Sequence, residues 1–512
     1  MNPGPRAAGP PETAPALAPR AAWTVLTVFA FAYVVAFVAI ALLRMRYPFE
    51  LEWMEGGVLD LIERVRAGQP LYVEPSLDFT PFIYPPLYFW MGAAAAQVLG
   101  TGFFALRLLS FLATLGILVA IYATVSRSER MRLPGLLAAG LFAASYREGG
   151  AWLDLARVDA LCLAFVSAGI WAVRRPGNAW VHGALAGAAF ALAALTKQSA
   201  LFIAAPVALV LLVTEWRRGT ALLATLAVLA GGATLMLDAS STGWYRYYVF
   251  ELPRDHPVIP QLLRGFWTTD LLGVFAIALV FGAVHVFLRG RERWRDVARD
   301  IAIVAGLLLT AYVTKIRVGS YDNLVIPAHL AAALCFGWGI GAIAESAPAL
   351  PAARRTSLLG LACFLGFVQF TLLLYKPWKQ VPPESEAAAG RQVVASLERV
   401  DGDVWIPAHG YLARMAGKRS FSHELALVDV LRPAGTPQRE ALLVKIRAAL
   451  RERRFALVVL DHTGWLKDEV EPYYDHTAQM FAKEEPDLFW SWTGFRTRPD
   501  FVWTPKPDGA RP

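Results

Sequence analysis

Apolar runs long enough to cross a bilayer recur from residue 21 to residue 375, and no other feature constrains the fold as much. A helix needs about 20 residues to cross a hydrocarbon core of ~30 Å. The expected spans are 22–43, 103–125, 133–147, 157–173, 180–195, 198–214, 219–238, 269–289, 299–314, 321–345 and 356–375. Several are short, which helices packed in a bundle tolerate where the bilayer thins. Gly and Ala are frequent within them, as close helix packing in lipid favours. Only 18% of the residues are charged, against about a quarter in soluble domains. The deficit lies before residue 376, and 376–512 reads as an ordinary charged globular segment. The expected fold class is an all-α polytopic membrane bundle of about eleven transmembrane helices, followed by a small C-terminal α/β soluble domain. The expected division is 1–21 as a disordered cytoplasmic N-terminus rich in Pro and Ala, 22–375 as the membrane domain, and 376–512 as an extracytoplasmic domain. The first run, Trp23 to Leu43, lacks a small-residue cleavage site and reads as a retained helix.

The net charge of +8 does not point to nucleic acid, because the basic residues sit mostly in short loops between apolar segments. Cys162, Cys335 and Cys363 all lie inside apolar runs and read as small core residues rather than a disulfide framework or zinc cluster.

Loop charge fixes the expected topology. Segments 127–132, 174–175, 217–218, 289–299 and 354–355 are short and rich in Arg. They share the side of the N-terminus only if Tyr84–Gly100 does not cross, which satisfies the positive-inside rule at every loop. Tyr84–Gly100 is therefore expected to lie along the outer surface as an interfacial helix. The N-terminus is then cytoplasmic and the C-terminal domain outside.

The first outer loop is long and acidic. Glu52 and Glu55 stand three apart, and from Val58 a helical period follows (Val58, Leu59, Ile62, Val65), which predicts an amphipathic helix with acids at its start. Such acids also favour a helix dipole without doing chemistry. Asp154-Leu-Ala-Arg157-Val-Asp159 comes next, with Asp159 leading straight into an apolar run, where a carboxylate needs a partner. Arg157 or Lys197 supplies one, although Lys197 also suits a plain snorkelling anchor. The third feature is Lys315-Ile-Arg317-Val-Gly-Ser-Tyr321-Asp322-Asn323 before another span. Cations beside helix-start amides make an anion site, and a phosphate-bearing lipid headgroup fits that depth; the plainer alternative is an Asp-Asn cap with two interface cations. Carboxylates and cations at one membrane depth suit a polyprenyl-phosphate sugar, with a carboxylate as general base on an acceptor hydroxyl and cations on the phosphate leaving group.

These residues resemble the C-type membrane glycosyltransferases, which include protein O-mannosyltransferases and the aminoarabinose transferase. The resemblance rests on Glu52–Glu55, on Tyr84-Pro-Pro-Leu-Tyr-Phe-Trp90, on Phe104–Arg107 opening a span, and on Asp159 starting another. It covers about residues 22–375. It implies two interfacial helices in the first outer loop, a lipid-linked donor, an inverting transfer and, by analogy with bacterial members, the plasma (inner) membrane. The family often has Asp-Glu in the first loop, whereas this chain has Glu-Trp-Met-Glu, so the base is Glu52 or Glu55. Many members carry Lys before Pro-Pro where Tyr84 stands here, so Lys197, Lys315 and Arg317 are the expected phosphate contacts, supported by Arg157, Asp159, Tyr321, Asp322 and Asn323. No cofactor is expected, and a divalent metal is left open. The expected partners are a polyprenyl-phosphate sugar donor, a glycan, lipid or protein acceptor, and membrane lipids.

In the C-terminal segment, Asp403–Pro407 and Phe455–Leu460 read as buried strands, with helices over Ala387–Val400 and Gln438–Arg454. The β-α-β pattern places His409 and His462 at strand ends, where open sheets bind ligands. Two other functions compete. One is a transporter or flippase for a lipid-linked glycan, which would show polar interruptions at mid-membrane; the other is a non-catalytic glycan-assembly partner.

Overall fold

The structure, a computed structural model, describes residues 17–461, 464–482 and 487–507. The expected disordered N-terminus lies largely outside the described residues, as do His462 and Thr463, and the first helix begins earlier than expected, at Leu17.

Each of the eleven apolar segments falls on a helix. Among the described residues, seven helical stretches are long and apolar enough to cross a membrane: Ala21–Arg44, Phe103–Val125, Ala179–Thr196, Trp216–Ser240, Pro260–Arg289, Trp294–Lys315 and Asp322–Ala349. The other four segments fall on Arg132–Ala144, Val158–Arg174, Leu201–Thr214 and Ala352–Thr371 and do not reach that measure. The chain is a polytopic helical membrane protein. Small residues allow its helices to touch: a Cβ added at Gly183 or Gly187 would lie 2.4 Å from a carbonyl oxygen of the neighbouring Trp216–Leu226 helix. Ile326–Ser346 runs through the centre, buried along almost its whole length. All three cysteines are buried and unpaired.

The first loop carries two helices, Glu55–Arg66 and Leu87–Leu99, packed on each other and, through the second, on Phe103–Val125. Phe49, Val58, Ile62 and Phe82 join Trp405, Leu427 and Val459 of the C-terminal segment in one core. That segment holds β1 (Val404–Trp405), β2 (Leu457–Leu460), β3 (Tyr474–Gln479) and β4 (Phe501–Pro505) in the order β1-β2-β4-β3. β1 and β2 are parallel, joined through the helix Pro437–Arg451 as the β-α-β pattern predicts. β4 is antiparallel to both β2 and β3.

Candidate active site

Glu52 and Glu55 are both fully buried, but of the two only Glu52 is among the residues lining the cavity. Glu55 opens its helix, and its carboxylate accepts four hydrogen bonds: from Arg107 Nε (3.1 Å) and Nη2 (2.7 Å), and from the backbone N–H groups of Ala156 (2.6 Å) and Leu51 (2.6 Å). Burial alone would raise its pKa, but the Arg107 charge and these hydrogen bonds hold it below the usual carboxylate value. Arg107 also donates to the carbonyls of Arg44, Tyr47 and Phe49. The pair ties the loop to the start of the Phe103–Val125 helix and leaves Glu55 little capacity to accept a proton.

Glu52 lines a cavity of about 410 Å³. Its Oε2 accepts from Arg157 Nη1 at 2.9 Å, and its Oε1 has no hydrogen-bond partner among the described residues. Burial pushes its pKa up to about 8; Arg157 opposes the rise, and the nearby Glu55 and Glu50 add to it. The C-terminal segment closes over this residue. Trp492 and Thr493 both donate backbone N–H groups to the Leu51 carbonyl (2.8 and 3.0 Å). Gly494 follows at φ +76°, where a Cβ would lie 2.9 Å from Glu52 Cγ. Only glycine meets both the backbone conformation and the close approach.

The cavity gathers most, but not all, of the cations read from the sequence. Arg157, Lys197 and Arg317 line it, with Tyr321 and Asn323. Arg157 divides its guanidinium between Glu52 and the Tyr84 hydroxyl (3.2 Å), so Tyr84 orients this cation. Lys197 is not a plain surface anchor. Its Nζ lies 2.7 Å from Asp159 Oδ1, and Asn323 and Trp152 also donate to the Asp159 carboxylate (3.2 and 3.1 Å). Arg317 donates to the carbonyls of Arg254 (3.2 Å) and His256 (2.9 Å), which fixes the loop before it. Lys315 does not line the cavity; it is buried and paired with Asp322 at 3.4 Å, and Asp322 is also outside the lining.

The sequence reading missed four titratable groups on the same walls: Arg254, His256, Asp429 and Arg432. Asp429 and Arg432 come from the C-terminal segment, and His256 reaches Asp429 at 3.1 Å. Arg254 is exposed and has no ion pair among the described residues. Their local sequences carry no motif, and only the long-range fold brings them to Glu52. Phe82, Ile83, Phe202, Val249, Phe250 and Leu324 make the rest of the wall apolar. This arrangement can hold an anion on its cations, an apolar chain along its wall, and a proton on the Glu52 carboxylate. Among the described residues no three His, Cys, Asp or Glu side chains converge as metal ligands.

A second buried cluster stands beside the first. His409, at the end of β1, contacts Glu50 through Nδ1 and Asp461, at the end of β2, through Nε2 (2.7 Å). The strand ends are brought together as the sheet pattern predicts, but they close on the first loop instead of opening on a free crevice.

The comparisons with known proteins agree with this architecture. The family described as dolichyl-phosphate-mannose-protein mannosyltransferase matches residues 84–244. No curated protein matches the sequence. Among solved structures, ArnT from Cupriavidus metallidurans in the apo state superposes with a TM-score of 0.55 at 15% identity, over 94% of this chain and 98% of that one. ArnT bound to undecaprenyl phosphate gives 0.55 at 14% identity, over 96% and 99%. The arabinofuranosyltransferase AftD from Mycobacteria gives 0.51 at 15% identity, over 94% of this chain and 40% of that one. The resemblance to C-type membrane glycosyltransferases holds at the level of fold.

Proposed function

We propose that this chain, which has the fold of C-type membrane glycosyltransferases, transfers a sugar from a polyprenyl-phosphate donor to an acceptor hydroxyl on a glycan, lipid or protein. The observation that carries the reading is Glu52, a carboxylate bound by one side chain, Arg157, and lining a cavity that also presents Lys197. The Glu52 carboxylate takes the proton of the acceptor hydroxyl while the hydroxyl oxygen attacks the anomeric carbon. The bond from that carbon to the phosphate oxygen breaks, and the electron pair leaves with the phosphate, inverting the anomeric centre. Arg157 and Lys197 face the departing phosphate, with Arg254 and Arg317 on the same wall. Preplaced cations that stabilise developing charge commonly supply the greater part of the rate enhancement in such transfers. A pKa near 8 suits a base working close to neutral pH. Glu55 is a positioning residue that holds the loop through Arg107.

The ArnT structure with undecaprenyl phosphate supports a lipid-phosphate donor. The eleven apolar helices are the proposed crossings, with the N-terminus cytoplasmic and residues 376–512 outside, in a bacterial inner membrane. A transporter would place its polar groups at mid-span; here the charged groups gather at helix ends. Incorporation of labelled sugar by membranes carrying wild type, Glu52→Gln or Glu55→Gln tests the assignment. Full activity in Glu52→Gln would end it.

A further inference from the structure

At the opposite end of the bundle from Glu52 the helices diverge around a second cleft of about 560 Å³. Phe103–Val125 starts near Arg107 and finishes here, and Val158–Arg174 starts beside Arg157 and finishes here. The lining includes six arginines but only two carboxylates, Glu215 and Asp296.

The inner arginines are already engaged. Arg299 pairs with Glu215 (2.8 Å) and with Asp296. Arg218 pairs with Glu215 (3.1 Å) and donates to the carbonyls of Val173 and Arg175. Arg174 pairs with Asp300, which is not in the lining, and lies over the Trp338 ring. Both acids of the cleft are therefore used, yet the buried Nε donors of Arg218 and Arg299 have no hydrogen-bond partner among the described residues. The outer arginines, Arg127, Arg175 and Arg295, are exposed and have no carboxylate partner among the described residues. Arg127 donates to the Arg174 carbonyl, while Arg175 and Arg295 lie over Trp171 and Trp294.

Positive-inside retention requires only that basic side chains lie on one side. It does not require them to converge on a cavity, nor to leave buried donors open. Planar guanidinium forks match phosphate oxygens in paired hydrogen bonds, and basic pockets between helices at the membrane surface suit lipid head groups. We propose that this cleft binds the phosphate group of an anionic lipid, on the membrane face opposite the Glu52 cavity. The shared chemistry is a phosphate ester on a lipid, from a phospholipid or a polyprenyl phosphate. The proposal stands independently of the transferase reading.

The test uses the full chain in nanodiscs of zwitterionic lipid, titrated separately with phosphatidylglycerol, undecaprenyl phosphate and inorganic phosphate, with bound lipid read by native mass spectrometry. The variants are the triple Arg127→Gln, Arg175→Gln, Arg295→Gln and the corresponding triple Lys change. Each basic residue near an anionic head group contributes about a factor of five in binding, so the Gln triple should bind lipid phosphate about 100-fold more weakly, while the Lys triple keeps most of the affinity. Undecaprenyl phosphate also suits the Glu52 cavity, so its arm counts through the part of its binding lost in the Gln triple. Arginine-dependent binding of either lipid supports the proposal and identifies the source. Equal lipid binding in wild type and Gln triple overturns it, as does inorganic phosphate binding as tightly as the lipids. Unchanged size-exclusion behaviour and sugar transfer in the Gln triple show that loss of lipid is not loss of fold.

Discussion

The floor of the cavity at Glu52 and the knot at Glu55 are three residues apart in sequence and opposite in character. At the knot, Arg107 and two backbone N–H groups use the carboxylate's accepting capacity and hold it ionised. At the floor, Arg157 takes one oxygen of Glu52 and leaves the other unpartnered, and the pKa rises to about 8. Burial is the same, so burial does not decide which acid can do chemistry. The number of donors aimed at each carboxylate decides it.

The largest expected effect breaks this comparison at its catalytic side. General-base catalysis contributes about 10²–10⁴-fold, so Glu52→Gln should lower transfer by that factor with expression and detergent extraction unchanged. In the wild type, the ionised fraction of Glu52 falls about tenfold per pH unit below its pKa, so transfer should rise with pH until about 8. A rate already flat from pH 5 would show that Glu52 does not titrate in the catalytic step.

The next effect lies on the structural side. Removing one partner of a buried ion pair costs about 3–5 kcal/mol, so Glu55→Gln should lower thermal stability and yield, leaving Arg107 buried without its counter-charge. Activity per folded molecule should stay within a few-fold of wild type. A stable, well-expressed Glu55→Gln protein that has lost transfer would exchange the two roles.

Much of this was legible in the sequence. Hydropathy placed each expected span on a helix, because length and apolarity are local properties, although only seven helical stretches among the described residues are long and apolar enough to cross a membrane. The pair Glu52 and Glu55 was visible as an acidic start before a helical period, but their different roles were not. Those depend on Arg107 and Arg157, which lie 52 and 105 residues away in the chain. β3 went unread because Tyr-Asp-His-Thr-Ala-Gln is a polar, largely exposed strand with no hydrophobic alternation to mark it. Asp429 and Arg432 were invisible for a related reason: nothing in a soluble-looking helix announces that it roofs a membrane cavity.

The seam beside these two acids gives a pH-dependent prediction. Burial alone would lower the His409 pKa, but Asp461 and Glu50 raise it to about 10. A raised pKa means the protonated form contributes stability that is complete below the free value of about 6.5 and is lost as pH rises through the folded one. Glu50, pushed up to about 7 mainly by burial, acts in the same direction, as does Glu424, raised to about 8. Closure of the C-terminal segment on the first loop should therefore weaken steadily from pH 6 to 10. Hydrogen exchange at residues 404–411 checks this, after correction for the intrinsic pH dependence of exchange. Protection that increases with pH would contradict the charge assignment, and His409→Gln should flatten the response.

The smallest expected effect separates Lys315 from Lys197. Both were read as phosphate contacts, but only Lys197 lines the cavity. Lys315 is buried against Asp322, whose side chain is 59% exposed and so keeps much of its hydration when the lysine is removed. A partly exposed pair of this kind is worth at most about 1 kcal/mol. Lys315→Gln should therefore leave the KM for the donor within about twofold of wild type and lower stability only slightly. Lys197→Gln should raise that KM about tenfold or more, since a charge-assisted hydrogen bond to phosphate is worth about 1.5–3 kcal/mol. Its loss also leaves Asp159 with only the Asn323 and Trp152 hydrogen bonds, so the KM is to be measured on folded protein alone. If Lys315→Gln raises the donor KM as much as Lys197→Gln does, the phosphate sits lower in the Lys315–Asn323 turn than the cavity lining indicates, and the donor must enter from that side.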